Sequence, residues 1–296
     1  MLKRTLYFTK PSYLSVKNKQ LVVEIKGDAQ TKTVPIEDIG FMLIENMQIT
    51  LSMPLIEELM NNNVSVIFCN STHHPQSMLL NMEGNHQQTE IYRQQVAASE
   101  ALKKNLWKQT IIAKIENQSK VLGKLGIDSN PLPYLAKQVK SGDSDNREGM
   151  AARLYWKKLF GESFIRDRYG DWPNAILNYG YIVLRAAVAR ALTGSGLLPS
   201  FGIFHSNRYN AFCLADDIME PYRPFIDLCV WDICQKYPDI NVVEKEIKAE
   251  ILEILSSDVA MKKQTRPLMI AITHTTASLA ACFTGTKKQI EFPLIV

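Results

Sequence analysis

The feature that most constrains the fold of this chain is a change in the spacing of its apolar residues near residue 75. Before that point, short β-rich runs alternate with turn residues such as Gly27 and Asp28. Ser52 and Pro54 mark the start of one short helix among these runs. The β-rich runs occupy residues 5–8, 13–16, 21–25, 41–44 and 64–68. The pattern predicts a small β domain with one helix over residues 1–75.

After residue 75 the apolar residues recur at helical spacing. Residues 89–122 are predicted to form one long helix, and Gly, Pro and Asp interrupt the pattern over 123–142. Asp171 is the expected cap of a later helix that has Pro173 in its first turn. Further helices are predicted at residues 144–160, 173–192, 207–219, 222–236, 242–255 and 266–283. The predicted fold class is α+β, with a small N-terminal β-sheet or sandwich domain (1–75) followed by a larger all-α domain (76–296).

Composition restricts the class of protein. Hydrophobic residues make up 46% of the 296 residues and charged residues 22%, which are the proportions of a folded, soluble protein. No run of about 18 uncharged apolar residues is present to span a membrane, and the N-terminus has no signal-peptide core. We therefore expect a cytoplasmic protein with no membrane partner.

The five cysteines lie in apolar segments and are expected to be reduced and buried. The grouping of Cys69 with His73, His74 and His86 could suggest a zinc site. A second cysteine pair at the spacing of a zinc finger is missing, which disfavours zinc.

The net charge of +4 is distributed unevenly along the chain. Residues 1–75 contain seven Lys and Arg and seven Asp and Glu, whereas residues 100–170 contain fourteen and eight. A basic segment of this kind is a candidate for binding nucleic-acid phosphates. Charge alone favours a solvated helix surface over a phosphate-binding face.

Four ionisable residues in three short segments of the helical part are candidates for chemistry. Glu148 lies near a predicted helix start, His205 follows a glycine-rich apolar loop, and Asp217 and Glu220 share one helical face. Each also has a structural interpretation: a helix-start carboxylate favoured by the dipole, a hydrogen-bonded core histidine, and a helix end paired with Arg223.

Two carboxylates and one imidazole suit Mg²⁺ or Mn²⁺, since these ions prefer oxygen ligands and leave positions for water and phosphate. Such an ion would polarise a phosphodiester. The residues thus indicate a metal-dependent nucleic-acid enzyme, although spacing cannot show that the three segments meet.

A longer pattern extends through these candidates. Its parts are the runs from Glu148 to Ala152, from Leu177 to Tyr181, from Gly202 to His205 and from Leu214 to Pro224. Together they resemble the CRISPR-associated spacer-integration nucleases, the catalytic subunits that insert captured foreign DNA into a repeat array. The layout of a β part followed by a helical part agrees over the whole chain, and the length is similar to that of the type II branch.

The resemblance implies an antiviral function and a site. It implies that Glu148, His205 and Glu220 bind Mg²⁺ or Mn²⁺ and are catalytic, with Asp217 as a further candidate ligand. Glu220 stands where many relatives carry Asp. The implied reaction is transesterification, in which a 3′-hydroxyl of the captured duplex attacks a phosphodiester at the repeat boundary.

The resemblance also implies partners. These are double-stranded DNA, a second copy of the chain, a small ferredoxin-like CRISPR-associated subunit, and other type II adaptation and effector proteins. The apolar strands at 21–25 and 41–44 would need covering, which favours a homodimer formed through residues 1–75. The candidate DNA contacts are Lys157, Lys158, Arg208, Arg223 and Tyr155.

Two other functions fit the same residues. One is a metal-dependent nuclease of branched or repair DNA intermediates, and the other is a non-catalytic DNA-binding subunit. The nuclease differs in its product, which is cleaved ends instead of joined strands. The intact set of Glu148, His205 and Glu220 argues against the non-catalytic subunit.

Overall fold

A computed structural model of the chain describes residues 3–71, 73, 75–238, 243–262 and 264–296. The contacts divide the chain into two units, Met1–Gly84 and Asn85–Val296. Among the described residues, the first unit contains eight strands, one α-helix and a 3₁₀ turn at Ile36–Asp38. The strands and the α-helix are β1 (Arg4–Phe8), β2 (Ser12–Lys17), β3 (Gln20–Ile25), β4 (Thr31–Pro35), β5 (Ile39–Ile44), β6 (Thr50–Leu51), α1 (Met53–Asn61), β7 (Ser65–Cys69) and β8 (Pro75–Leu79).

The strands of the first unit form two four-stranded sheets, ordered β1-β5-β7-β8 and β4-β3-β2-β6. In the first sheet, β1, β5 and β7 are parallel and β8 is antiparallel to β7. Every residue of β5 is buried, as expected for a central strand covered on both faces. One core joins side chains of both sheets with Leu55 and Leu59 of α1.

Two expectations for this unit need correction. The sheet continues past residue 75, because β8 pairs with β7, and the unit boundary therefore lies at Gly84. The strands at 21–25 and 41–44 are internal strands, each paired on both sides within its own sheet. They therefore need no second chain to cover them, and the expectation of a dimer loses that support.

The second unit is mainly helical, and the predicted α+β class is confirmed. Its helices are α2 (Gln88–Val96), α3 (Glu100–Lys124), α4 (Leu132–Lys137), α5 (Arg147–Phe160), α6 (Asn174–Gly194), α7 (Cys213–Met219), α8 (Arg223–Lys236), α9 (Lys245–Glu253) and α10 (Leu268–Phe283). An antiparallel hairpin of β9 (Asp258–Met261) and β10 (Gln264–Pro267) lies among them. The all-α description of this part misses that hairpin.

Local chemistry explains where the helices differ from the sequence pattern. The predicted helix over 89–122 is two helices, because Ser99 is extended and its hydroxyl accepts a hydrogen bond from the Leu102 amide at 3.2 Å. Asp171 does not cap α6 through its side chain, and the helix begins at Asn174. The helix predicted from residue 207 begins only at Cys213, because the preceding residues form the loop that carries His205.

Among the described residues, α6 is the one helix whose length and hydropathy would allow it to cross a membrane. Its most apolar stretch is 72% buried by the rest of the protein. Because that stretch is largely covered by protein, α6 is a core helix of this unit.

Candidate catalytic site

The long helix α3 supplies the base of the site through two buried polar residues, Lys114 and Asn117. They lie three residues apart and therefore on the same side of the helix. The Asn117 amide donates hydrogen bonds to the carbonyls of Pro221 at 2.8 Å and Pro293 at 3.1 Å, and it accepts one from the Ile295 amide at 3.1 Å. The turn that contains Glu220 is thereby fixed against α3.

Glu148 lies in the first turn of α5, where two side chains cap the helix. Asn146 accepts from the Gly149 amide at 3.1 Å, and Asp143 accepts from the amides of Arg147 at 2.8 Å and Glu148 at 3.1 Å. A Cβ at Gly149 would lie 2.7 Å from the Asn146 oxygen, so this glycine makes room for the cap. The backbone that carries Glu148 is therefore held firmly.

Glu220 begins the short 3₁₀ turn between α7 and α8. Its side chain is buried, and its two oxygens face different cations. Oε1 lies 2.9 Å from Nη2 of Arg223, and Oε2 lies 2.6 Å from Nζ of Lys114. The helix-end salt bridge with Arg223, one of the structural interpretations above, is present.

The carboxylates of Glu148 and Glu220 meet at Lys114. The Lys114 ammonium donates a hydrogen bond to Oε1 of Glu148 and also pairs with Glu220. Two carboxylates that lie far apart in the sequence thus share the ammonium of Lys114. This lysine is largely buried, since only 10% of its side chain is exposed. The structure brings together these two predicted site residues.

His205 is held by Asp217, which is completely buried. Asp217 accepts hydrogen bonds from the amides of Ile203 at 2.7 Å, Phe204 at 3.0 Å and His205 at 3.2 Å, and its Oδ1 lies 2.5 Å from Nδ1 of His205. Both Asp217 oxygens are engaged, which favours an orienting role for Asp217 over the role of a metal ligand. With Nδ1 bound to Asp217, Nε2 is the ring nitrogen left for a ligand.

Gly202 is needed for this arrangement. A Cβ there would lie 2.2 Å from the His205 carbonyl oxygen and 2.8 Å from Oδ2 of Asp217. Aromatic packing holds the same loop against α3, since Trp107 stacks on Phe204 with ring centroids 4.2 Å apart and an interplanar angle of 2°. The His205 ring meets the Trp107 ring edge-on at 5.9 Å.

The charges of the site support one another. Burial alone would raise the pKa of Glu220, but the charges of Arg223 and Lys114 hold it below its usual value. Burial alone would lower the pKa of Lys114, but Glu220 and Glu148 raise it above its usual value. The hydrogen bond to Asp217 raises the pKa of His205, to which the charge of Glu220 also contributes. A charged lysine therefore lies beside the ionised carboxylate of Glu220.

The carboxylate oxygens of Glu148 and Glu220 show whether the site could bind a divalent cation. In the part of the chain that is described, no three His, Cys, Asp or Glu side chains form a ready cluster of ligands. However, Oε2 of Glu220 is buried, and its contact is the positive charge of Lys114 at 2.6 Å. A buried carboxylate oxygen that already faces a cation, together with a second carboxylate and an imidazole that senses the charge of Glu220, is a donor set that fits Mg²⁺ or Mn²⁺.

The structure corrects one predicted DNA contact and changes the roles of two others. Tyr155 is completely buried and donates a hydrogen bond to Asp227 at 3.1 Å, so it cannot reach DNA. Arg223 pairs with Glu220 and lies over the ring of Tyr181 at 4.7 Å, which favours a role inside the site. The Lys158 ammonium is bound to a neighbouring loop, where its acceptors are the carbonyls of residues 128 and 130 at 2.6 and 2.8 Å.

Two predicted contacts remain at the surface. Lys157 makes an exposed ion pair with Glu162 at 2.9 Å. Arg208 is exposed, stacks over the Tyr209 ring at 4.6 Å and donates a hydrogen bond to the Tyr209 hydroxyl. Both side chains can still turn toward a phosphate.

The alternative zinc grouping gains no support. Cys69 is buried at the end of β7, and Nδ1 of His73 lies 3.4 Å from a carboxylate oxygen of Glu45. His74 lies outside the described residues, and the residues described there form no cluster of metal ligands.

The sequence interpretation did not select Lys114, Asn117 or Asp227. All three are buried polar residues of helices. Lys114 and Asp227 interrupt apolar runs, and such interruptions could have identified them, because a buried polar side chain needs a partner. Asn117 stands among other polar residues, and the sequence gives no signal for it.

Comparison with known proteins identifies the family. The family model described as "CRISPR associated protein Cas1" matches residues 6–271. The chain is 36% identical to the CRISPR-associated endonuclease Cas1 of Neisseria meningitidis serogroup C (strain 8013), over 100% of this chain and 97% of that protein.

Solved structures share the fold. A casposase bound to integration product is similar with a TM-score of 0.79 and 21% identity, over 99% of this chain and 93% of that chain. A chain of a Cas6-RT-Cas1–Cas2 complex is similar with a TM-score of 0.71 and 17% identity, over 97% of this chain and 35% of that chain. The family model and the Neisseria relative show that the chain belongs to the CRISPR-associated Cas1 family.

Proposed function

We propose that this protein is the DNA integrase and endonuclease of CRISPR adaptation, which joins short foreign DNA segments to a repeat array by transesterification. The observation that carries the proposal is the convergence of Glu148 and Glu220 on one buried cation position. Membership in the Cas1 family and similarity to a casposase bound to integration product support it.

Three residues of the chain would hold the divalent cation: Glu148, Glu220 and His205 through Nε2. When bound, Mg²⁺ or Mn²⁺ supplies positive charge that stabilises the transferring phosphate. The chain's own contribution is to position the ligands, and a site that is fixed before the reaction loses little free energy to reorganisation.

Each ligand has a dedicated support. Asp217 accepts a hydrogen bond from the Nδ1–H of His205 and thereby sets the tautomer that presents Nε2. Arg223 holds Oε1 of Glu220 and leaves Oε2 to face the cation position. Asp143 fixes the backbone at Glu148. The 3′-hydroxyl and the phosphodiester would be brought in line above this set.

The proposed partners follow from the proposed reaction. The proposed substrates are two stretches of double-stranded DNA, the captured duplex and the repeat, and a cytoplasmic location is proposed with them. A Cas1–Cas2 complex among the similar structures supports a small ferredoxin-like CRISPR-associated subunit as partner, and other type II adaptation and effector proteins are proposed with it. Joining both strands of a repeat needs two sites, so we propose a homodimer formed through the first unit. Light scattering at micromolar concentration should give twice 33.6 kDa.

The experiment is an integration assay with a repeat plasmid, a short duplex, Mn²⁺ and the partner subunit. Wild-type protein should give covalently joined strands, and Glu148→Ala, His205→Ala and Glu220→Ala should each reduce joining to background. Glu162→Ala is a suitable control, since it removes an exposed carboxylate beside α5.

The products separate the proposal from its alternatives. Free cleaved ends without joined strands would show a nuclease of branched or repair intermediates. Binding of DNA with neither product would show a non-catalytic subunit. Full joining by any of the three variants would remove that residue from the site.

A further inference from the structure

A buried lysine occupies the place where the proposed divalent cation would bind. Nζ of Lys114 lies 2.6 Å from Oε2 of Glu220 and donates a hydrogen bond to Glu148. An exposed lysine usually keeps its ammonium in water, and burying it costs free energy that only close counter-charges offset. Here the two counter-charges are the two carboxylates of the proposed metal site.

Lys114 and a divalent cation cannot share this position. Mg²⁺ binds carboxylate oxygens at about 2.0–2.1 Å, so a cation on Oε2 of Glu220 would lie within the space that the ammonium fills. The two positive charges would also repel each other at short range. One of them must leave, and the flexible four-carbon stem of lysine allows its ammonium to move.

The other contacts of the site would keep the ligands in place after such a movement. Arg223 retains Oε1 of Glu220 at 2.9 Å. The backbone of Glu148 stays bound to Asp143, and Asn117 still ties the Glu220 turn to α3 through the Pro221 carbonyl. Only the contacts that Lys114 itself makes are exchanged.

We propose that Lys114 is a positioning residue that substitutes for the divalent cation: it holds Glu148 and Glu220 together before the metal binds, and it is displaced when the metal binds. The inference rests on the proposed function for the location of the metal. In this role Lys114 competes with the metal and lowers the affinity of the site for it. Without metal, the ammonium keeps the carboxylates of Glu148 and Glu220 from moving apart through their mutual repulsion.

The first test is calorimetric titration of Mn²⁺ into the full chain without DNA. Lys114→Met removes the charge and keeps the length of the side chain, and its dissociation constant for Mn²⁺ should fall by about tenfold or more, which corresponds to about 1.4 kcal/mol. The matched control is Lys104→Met, an exposed lysine of the same helix, which should stay within about twofold of wild type, since an exposed charge is screened by solvent. An unchanged or weaker affinity in Lys114→Met would overturn the proposal.

Thermal unfolding gives a second readout. Without metal, Lys114→Met should melt several degrees below wild type, because the buried Glu220 and the partly exposed Glu148 lose the counter-charge that they share. Mn²⁺ should then raise its melting temperature by more than it raises that of wild type. Lys114→Arg keeps the charge and should not tighten Mn²⁺ binding; tightening in that variant would show that charge is not the cause and would refute the inference.

A third measurement uses the wild-type protein and needs no variant to fold. Amine acetylation followed by peptide mass spectrometry should show Lys114 protected without metal and modified several-fold faster with saturating Mn²⁺, while Lys104 is unaffected. Continued protection of Lys114 at saturating Mn²⁺ would contradict displacement.

These readouts are independent of strand joining. If Lys114→Met binds Mn²⁺ more tightly than wild type while the wild-type protein joins no strands, the inference is supported and the proposed function is defeated. Strand joining that requires Glu148 and Glu220, together with Mn²⁺ affinity that is insensitive to Lys114, would do the reverse.

Discussion

Replacing Asn117 with leucine tests whether the site depends on one buried amide. Asn117 is fully buried and makes three hydrogen bonds to backbone groups, the carbonyls of Pro221 and Pro293 and the amide of Ile295. Leucine has nearly the same shape but no polar atoms. The substitution therefore leaves three backbone groups in the interior without partners.

The magnitude follows from these contacts. Each orphaned group costs about 1–3 kcal/mol, and the added apolar surface of leucine returns about 1.5–2 kcal/mol. For three groups the net loss in the free energy of unfolding should be about 1–7 kcal/mol for the helical unit. Because Asn117 also positions the Glu220 turn, we expect weaker Mn²⁺ binding as well.

The assay is urea unfolding followed by circular dichroism at 222 nm, with Asn105→Leu as the control. Asn105 is an exposed residue of the same helix, and its replacement should change stability by less than about 0.5 kcal/mol. A loss below about 1 kcal/mol for Asn117→Leu would refute the reasoning, because at least one orphaned group would then have found another partner.

Three further predictions concern other contacts. Asp217→Asn should reduce strand joining roughly 10–100-fold, because the His205 ring is then no longer fixed in one tautomer. Nitrogen-15 NMR of the imidazole would detect the change of tautomer, and unchanged joining with an unchanged tautomer would contradict this role. Burial raises the pKa of Asp227 to about 7 despite hydrogen bonds from Tyr181 and Tyr155. The folded state therefore holds this proton more tightly than the unfolded state, and stability is lost as pH rises from about 4 to about 7. Between pH 5 and pH 8, wild type should lose about 2–3 kcal/mol relative to Asp227→Asn in urea unfolding, and a difference independent of pH would exclude a raised pKa. Finally, Lys158→Met should leave the salt dependence of DNA affinity unchanged, because the ammonium of Lys158 is bound to the carbonyls of residues 128 and 130. If the slope of log affinity against log salt concentration fell in magnitude by about 0.9, Lys158 would be a phosphate contact.

The local spacing of apolar residues is enough to predict most of the strands and helices. The β-rich runs at 5–8, 13–16 and 21–25 are strands, and the apolar run at 41–44 is the buried central strand β5. These predictions hold because side-chain spacing reflects burial within a single element. The break between α2 and α3 was missed, since the apolar spacing continues through it while the Ser99 cap interrupts the backbone.

The sequence by itself determined the change from a strand-rich to a helical part, most of the helices and the candidate residues Glu148, His205 and Glu220, because these depend on spacing and on short local motifs. It did not determine which side chains meet. That Lys114 joins Glu148 to Glu220, that Asp217 orients His205 and that Tyr155 is buried against Asp227 all follow from the packing of helices that are distant along the chain. Spacing reports only neighbours within one helix or strand, whereas the pairing of buried charges is decided by tertiary contacts, since a buried charge must find its partner wherever the fold places one.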